Sequence, residues 1–125
     1  MFQILVVEDD ASLRKLMSAA LKQHGYVTFL ANDGLEALDV LEKTNIDLII
    51  SDIMMPNMDG YEATRRIRSL PDFKKAVTPI IAMTANVFKE DREKCLAAGM
   101  NAHLSKPLDA ETMKRTISEQ LKKLN

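Results

Sequence analysis

One cysteine in 125 residues, Cys95, excludes an internal disulfide and leaves no pair of thiols to hold a metal. No apolar run approaches the ~20 residues that cross a bilayer as a helix. The opening MFQILVVEDD has too few apolar residues before its acids for a signal peptide. An excess of one charge is missing too: 17 Lys and Arg stand against 18 Asp and Glu, a net of −1. That balance argues against a nucleic-acid-binding surface and against direct nucleic-acid contact. No linker, repeat or low-complexity tract interrupts the chain. What these absences leave is a single domain of ordinary size, 46% hydrophobic, expected in a reducing, cytoplasmic compartment with no membrane insertion.

What is present is an alternation of short apolar runs and amphipathic stretches. Residues 3–7, QILVV, read as a strand ending in Glu8-Asp9-Asp10. Asp10 or Ser12 caps a helix whose Leu13, Leu16, Met17, Ala20 and Leu21 recur at helical spacing, with Gly25 as its stop. Residues 26–31 form a second strand, Asn32-Asp33-Gly34 a turn, and a helix then runs to about Thr44 with Ala37, Leu38 and Leu41 inward. Leu48, Ile49 and Ile50 make a third, fully buried strand that stops at Ser51-Asp52. The Pro/Asn/Asp/Gly cluster of Met54-Met55-Pro56-Asn57-Met58-Asp59-Gly60 must be a loop.

Gly60 to Ser69 reads as a helix burying Ala63, Thr64 and Ile67 and showing Arg65, Arg66 and Arg68 to solvent. Leu70-Pro71-Asp72 breaks it, and a loop through Lys75 carries a modest basic patch. Residues 79–83 form a fourth strand ending at Thr84, residues 89–98 a polar helix closed by Gly99, and residues 102–105 a weak fifth strand ending at Lys106-Pro107. The last helix, 109 to about 123, aligns Met113, Ile117, Leu121 and Leu124. Five strands alternating with five helices, with short connections and no period-2 strand pattern, predict an α/β fold. It is a doubly wound, five-stranded parallel sheet with five helices on two faces.

Right-handed crossovers put every C-terminal strand end on one rim. In the flavodoxin-like order 2-1-3-4-5, strands one and three meet at the switch point. Glu8, Asp9 and Asp52 then crowd into one crevice, with Thr84 and Lys106 beside them. Crowded carboxylates push a proton back onto one of their number unless a hard cation intervenes. Mg²⁺ prefers oxygen ligands and uses one or two carboxylates plus phosphate oxygens. Asp52 stands alone at its strand end, as a carboxylate nucleophile would, and Lys106 and Thr84 are placed to meet phosphoryl oxygens. Taken singly, each residue has a blander reading: an acidic helix cap, a turn threonine, a surface lysine before a proline. Together at the ends of four strands they point to phosphoryl chemistry.

These motifs resemble the receiver domain of two-component response regulators over essentially the full length. The matching pieces are ILVVEDD, SDIMMPNMDG, PIIAMTA and SKP. The resemblance implies a single receiver domain over 1–125 without an output domain. It also implies transfer of a phosphoryl group from a phosphohistidine to Asp52 and a phosphorylation-driven switch in partner binding. The domain would not be an enzyme in its own right, while assisting its own phosphorylation and dephosphorylation. Asp9, Asp52 and the Met54 backbone carbonyl would ligate Mg²⁺, with Glu8 acting partly through water. The Lys106-Pro107 peptide is usually cis in the family. Implied partners are a histidine kinase or histidine-phosphotransfer domain and a downstream signalling protein; residues 83–107 look most like phosphorelay or hybrid-kinase receivers.

One position departs from the commonest family pattern. Three residues before Lys106 many receivers carry Tyr or Phe, which switches together with the Thr hydroxyl; here it is His103. His24, by contrast, reads as a helix-terminal residue. Two rival readings are weaker on the residues themselves. A haloacid-dehalogenase-type phosphatase would carry a second Asp two positions after the nucleophile, where this chain has Met54. A flavodoxin-like electron carrier would offer Ser, Thr and Gly donors where Glu8-Asp9-Asp10 stands.

Overall fold

Leu48–Asp52 (β3) is the central strand, and all five of its residues are buried. In this computed structural model, which describes residues 1–85, 89–106 and 108–123, it is flanked by Gln3–Val7 (β1) and Ile80–Thr84 (β4). Val27–Ala31 (β2) and Ala102–Ser105 (β5) form the edges. The order is β2-β1-β3-β4-β5 and every pairing is parallel, as expected. Register brings Val7 beside Ser51, and Asp52 beside Met83, so β1, β3 and β4 end together.

The apolar runs are continuous because helices cover both faces. On one side Ile4, Val6, Leu48, Ile50, Ile81 and Met83 pack against Ala11–Gln23 (α1) and Ala110–Lys122 (α6). On the other, Leu5, Val7, Ile49, Ile80 and Ala82 pack with residues of Gly34–Lys43 (α2), Gly60–Arg68 (α3) and Lys89–Ala98 (α5). Asp10 is the α1 cap, its Oδ1 accepting from the Ser12 and Leu13 N–H groups. Gly25 takes φ +88 just past α1, and the Gly25 and Tyr26 N–H groups close on the Lys22 and Leu21 carbonyls. That is the left-handed helix stop in which Gly carries no Cβ penalty.

Four expectations change. The stretch read as a loop through Lys75 contains a sixth helix, Phe73–Ala76 (α4), started by Asp72 accepting from the Lys74 N–H. The second strand begins at Val27, with Tyr26 serving the α1 stop instead. Leu16 is 68% exposed, so the inward stripe of α1 is narrower than its spacing suggested. Arg68 does not face solvent freely. Its Nε and Nη2 donate to the Gly99 carbonyl, Nη1 to the Ala76 and Thr78 carbonyls, and Nη2 also to Asn101 Oδ1. Leu124, aligned with the α6 stripe in sequence, lies outside the described residues.

Candidate phosphoryl-acceptor site

Glu8 follows directly on β1 and is almost fully buried, at 1% exposure. Its backbone is pinned twice: its N–H donates to the Ala31 carbonyl at 3.1 Å, and its carbonyl accepts from Arg14 Nη1 at 2.7 Å. Its side chain accepts from the Asp10 N–H through Oε2 and from Lys106 Nζ through Oε1, both at 3.1 Å. Asp52 closes β3 at 5% exposure, and its Oδ2 lies 3.1 Å from the same Lys106 Nζ. Asp9 is exposed at the lip. One carboxylate oxygen from each of Glu8, Asp9 and Asp52 falls within 4.8 Å of the others.

Thr84 ends β4 on the strand next to Asp52, and its carbonyl accepts from the Lys106 N–H at 2.9 Å. Lys106 therefore enters the site from a backbone tied to Thr84. Met54, two residues past Asp52, is 80% exposed. His103 lies on β5 next to Leu104, whose side chain belongs to the α1/α6 core; strand alternation turns His103 to the other face. There it lines a hollow with Arg92, Cys95 and Leu96 of α5. His24 is the C-cap of α1, away from these groups. Pro107 lies outside the described residues, so its peptide geometry is not described.

Electrostatics follow the packing. Burial pushes the Glu8 carboxyl up to about 7, and the Asp9 and Asp52 carboxyls push the same way, while the Asp10 N–H and Lys106 pull it back. For Lys106, burial is the largest single influence and favours loss of the proton. The hydrogen bonds and charges of Glu8 and Asp52 together outweigh it, and its pKa is raised. The site thus holds three carboxyl groups against one ammonium. A hard divalent cation fits that donor set: three oxygen donors converge and one of them lies open at the lip.

Sequence spacing did not disclose two supports of the site. A Cβ on Gly60 would lie 2.5 Å from the Asp52 carbonyl oxygen and 2.9 Å from Ile53 Cα, so only glycine lets the start of α3 press against the end of β3. Arg14 holds the Glu8 carbonyl from the first turns of α1. Neither carries a local signal, because each meets a demand from a distant backbone atom.

Residues 4–118 match the family model described as the response regulator receiver domain. The chain belongs to that family. It is 44% identical over 115 residues to the sensor histidine kinase RcsC of Escherichia coli K12, covering 92% of this chain and 12% of that kinase. Among solved structures it is similar to the receiver domain of the sensor histidine kinase PA1611 from Pseudomonas aeruginosa PAO1. That match has 38% identity and a TM-score of 0.87, covering 96% of this chain and 97% of that one, and the PA1611 structure has a magnesium ion coordinated in its active-site cleft. It is also similar, at 29% identity and TM-score 0.86, to a structure from Saccharomyces cerevisiae, covering 95% of this receiver and 88% of that chain. That structure is the complex of the histidine phosphotransfer protein Ypd1 with the receiver domain of Ssk1. No helix among the described residues of this receiver is long and apolar enough to cross a membrane.

Proposed function

We propose that this receiver takes a phosphoryl group onto Asp52 from the phosphohistidine of a histidine kinase or histidine-phosphotransfer domain. In the transfer an Asp52 carboxylate oxygen forms the bond to phosphorus while the phosphorus–nitrogen bond breaks. The electron pair returns to the imidazole. The observation that carries this is the convergence of Asp52, Glu8 and Asp9 around Lys106. Glu8, Asp9, Asp52 and the Met54 carbonyl would hold Mg²⁺, which when bound supplies positive charge against the phosphoryl oxygens. The Lys106 ammonium, already 3.1 Å from Asp52, is positioned to pair with one of those oxygens. Thr84 supplies a hydroxyl donor at the adjacent strand end.

Phosphorylation adds charge beside Lys106 and Thr84, and each of them leads into the segments that flank β5. We read Thr84 and His103 as the two sides of the switch, with His103 reporting to the α5 hollow, and a downstream signalling protein as its reader. The donor's approach is supported by an open, largely apolar groove between α1 and α6. Exposed Leu16, half-buried Leu13 and Leu108 and the edge of buried Met113 line it, and it runs up to Asp10 and Lys106. A cytoplasmic setting follows from the proposed donor. The test is incubation of the wild-type protein and Asp52→Asn with a phosphorylated histidine-phosphotransfer domain and Mg²⁺. Stoichiometric, hydroxylamine-sensitive phosphate is expected on the wild type alone. Equal uptake by Asp52→Asn overturns the assignment.

A further inference from the structure

Asp52 is followed by a loop whose course the acidic site does not itself dictate. Its ends are fixed: the Ile53 N–H donates to the Met83 carbonyl at 3.3 Å, and the Gly60 N–H to the Ile53 carbonyl at 2.8 Å. Between them the Met58 N–H turns back onto the Pro56 carbonyl at 2.7 Å, and Asn57 takes φ +70. Asn is among the side chains that tolerate this left-handed conformation. The turn sends its two central side chains to different anchors. Met58 is buried to 6% exposure, its Sδ so close to Gly34 that a Cβ there would lie 2.9 Å away. Asn57 Nδ2 donates to Asp33 Oδ2 at 3.3 Å. Asp33 is bifunctional, because its Oδ1 accepts from the Glu36 N–H and caps α2. Among the described residues, Asn57 to Asp33 is the one hydrogen bond from Met54–Met58 to another element.

We propose that Asn57 is a positioning residue for the acceptor site. Its bond to Asp33, with Met58 seated on Gly34, anchors the loop to the start of α2 and so fixes the backbone at Met54 beside the carboxylates. The inference rests on the reading of Asp52 as phosphoacceptor and of the Met54 carbonyl as a cation ligand. An unanchored loop would have to be ordered when the cation binds, and that ordering cost is subtracted from affinity. An anchored loop is ordered in advance. The α2 N-terminus thereby gains a second task, outside the acidic cluster, in setting how tightly the site holds a divalent cation and how long the phosphoryl group survives.

The test measures Mg²⁺ binding by calorimetry, and phosphoryl uptake and lifetime, in the wild type, Asp33→Ser, Asn57→Asp and the exchange Asp33→Asn/Asn57→Asp. Ser keeps a cap for α2 but has no second oxygen for Asn57. Asn57→Asp sets two carboxylates face to face. The exchange restores a donor and an acceptor with unchanged net charge, and Asp also tolerates positive φ. Each single variant is expected to bind Mg²⁺ about threefold to tenfold more weakly, the effect of one hydrogen bond, while Asp33→Ser keeps the thermal midpoint of the metal-free wild type. The exchange is expected to recover most of the loss. Single variants that bind Mg²⁺ like the wild type overturn the proposal, as does an exchange no better than Asn57→Asp alone. A wild type that takes up no phosphate overturns the underlying reading instead.

Discussion

Lys106 Nζ lies 3.1 Å from Asp52 Oδ2 and reaches Glu8 Oε1 at the same distance, so one ammonium bridges two carboxyl groups from different strands. Replacing it by an uncharged side chain leaves those two groups facing each other without a counter-charge. Lys106→Met is therefore expected to lose about 1–3 kcal/mol of stability in metal-free buffer. Mg²⁺ should restore more in the variant than in the wild type, since the ammonium no longer competes for the same oxygens. Denaturant unfolding with and without Mg²⁺ checks both statements; an equal Mg²⁺ effect in the two proteins contradicts the second.

Glu8 makes metal-free stability depend on pH in a defined direction. Its carboxyl, ordinarily at 4.5, is held to about 7 in the folded chain, chiefly by burial. Between those values the folded protein keeps a proton that the unfolded chain has lost. Stability therefore falls as pH rises through that window, by about 1–3 kcal/mol. Mg²⁺ selects the deprotonated carboxyl, so a saturating concentration should flatten the fall. Urea midpoints taken across the window in chelator and in Mg²⁺ decide this, and Glu8→Gln should remove most of the slope.

Arg68 and Arg65 share a helix but should behave very differently on truncation. Arg65 makes an exposed pair with Glu62, and Arg65→Ala is expected to cost less than about 0.5 kcal/mol. Arg68 satisfies the carbonyls of Ala76, Thr78 and Gly99 and the Asn101 side chain, which itself accepts from the Ile80 N–H. Arg68→Ala leaves those acceptors short of donors and is expected to cost about 2–4 kcal/mol. Thermal or chemical unfolding of the two variants side by side makes the comparison.

Met54 stands exposed two residues past Asp52, the proposed acceptor, and a thioether neither donates to nor orients water well. An amide there does both. Met54→Asn is expected to shorten the lifetime of the phosphoryl group by about threefold to tenfold, the range one hydrogen bond to the attacking water would supply. Following loss of label after removal of the donor measures it. An unchanged or longer lifetime in the variant counts against this role.

The sheet and the acidic rim were legible in the sequence because each rests on local signals. Strands such as LIISD are read from unbroken apolar runs, and their polar ends mark where chemistry can sit. Arg68 was misread because helical periodicity groups it with Arg65 and Arg66. What draws it inward is a set of carbonyls in loops far along the chain, which no local pattern reports. Leu16 fits the apolar spacing of α1 yet opens into the α1/α6 groove, where no described side chain closes over it. The α4 helix is a single turn defined by one capping aspartate, too short to show a period. Gly60 looked like a turn residue, and its true constraint is the approach of the Asp52 carbonyl.

The acidic cluster draws its carboxylates from the ends of β1 and β3, and Lys106 joins them from the end of β5, much later in sequence. A ribosome-bound or clipped fragment that stops after β4 would own every carboxylate and none of the bridging ammonium. The charge balance of the crevice is thus set only when β5 has docked on β4 and brought Lys106 to the two carboxylates it bridges.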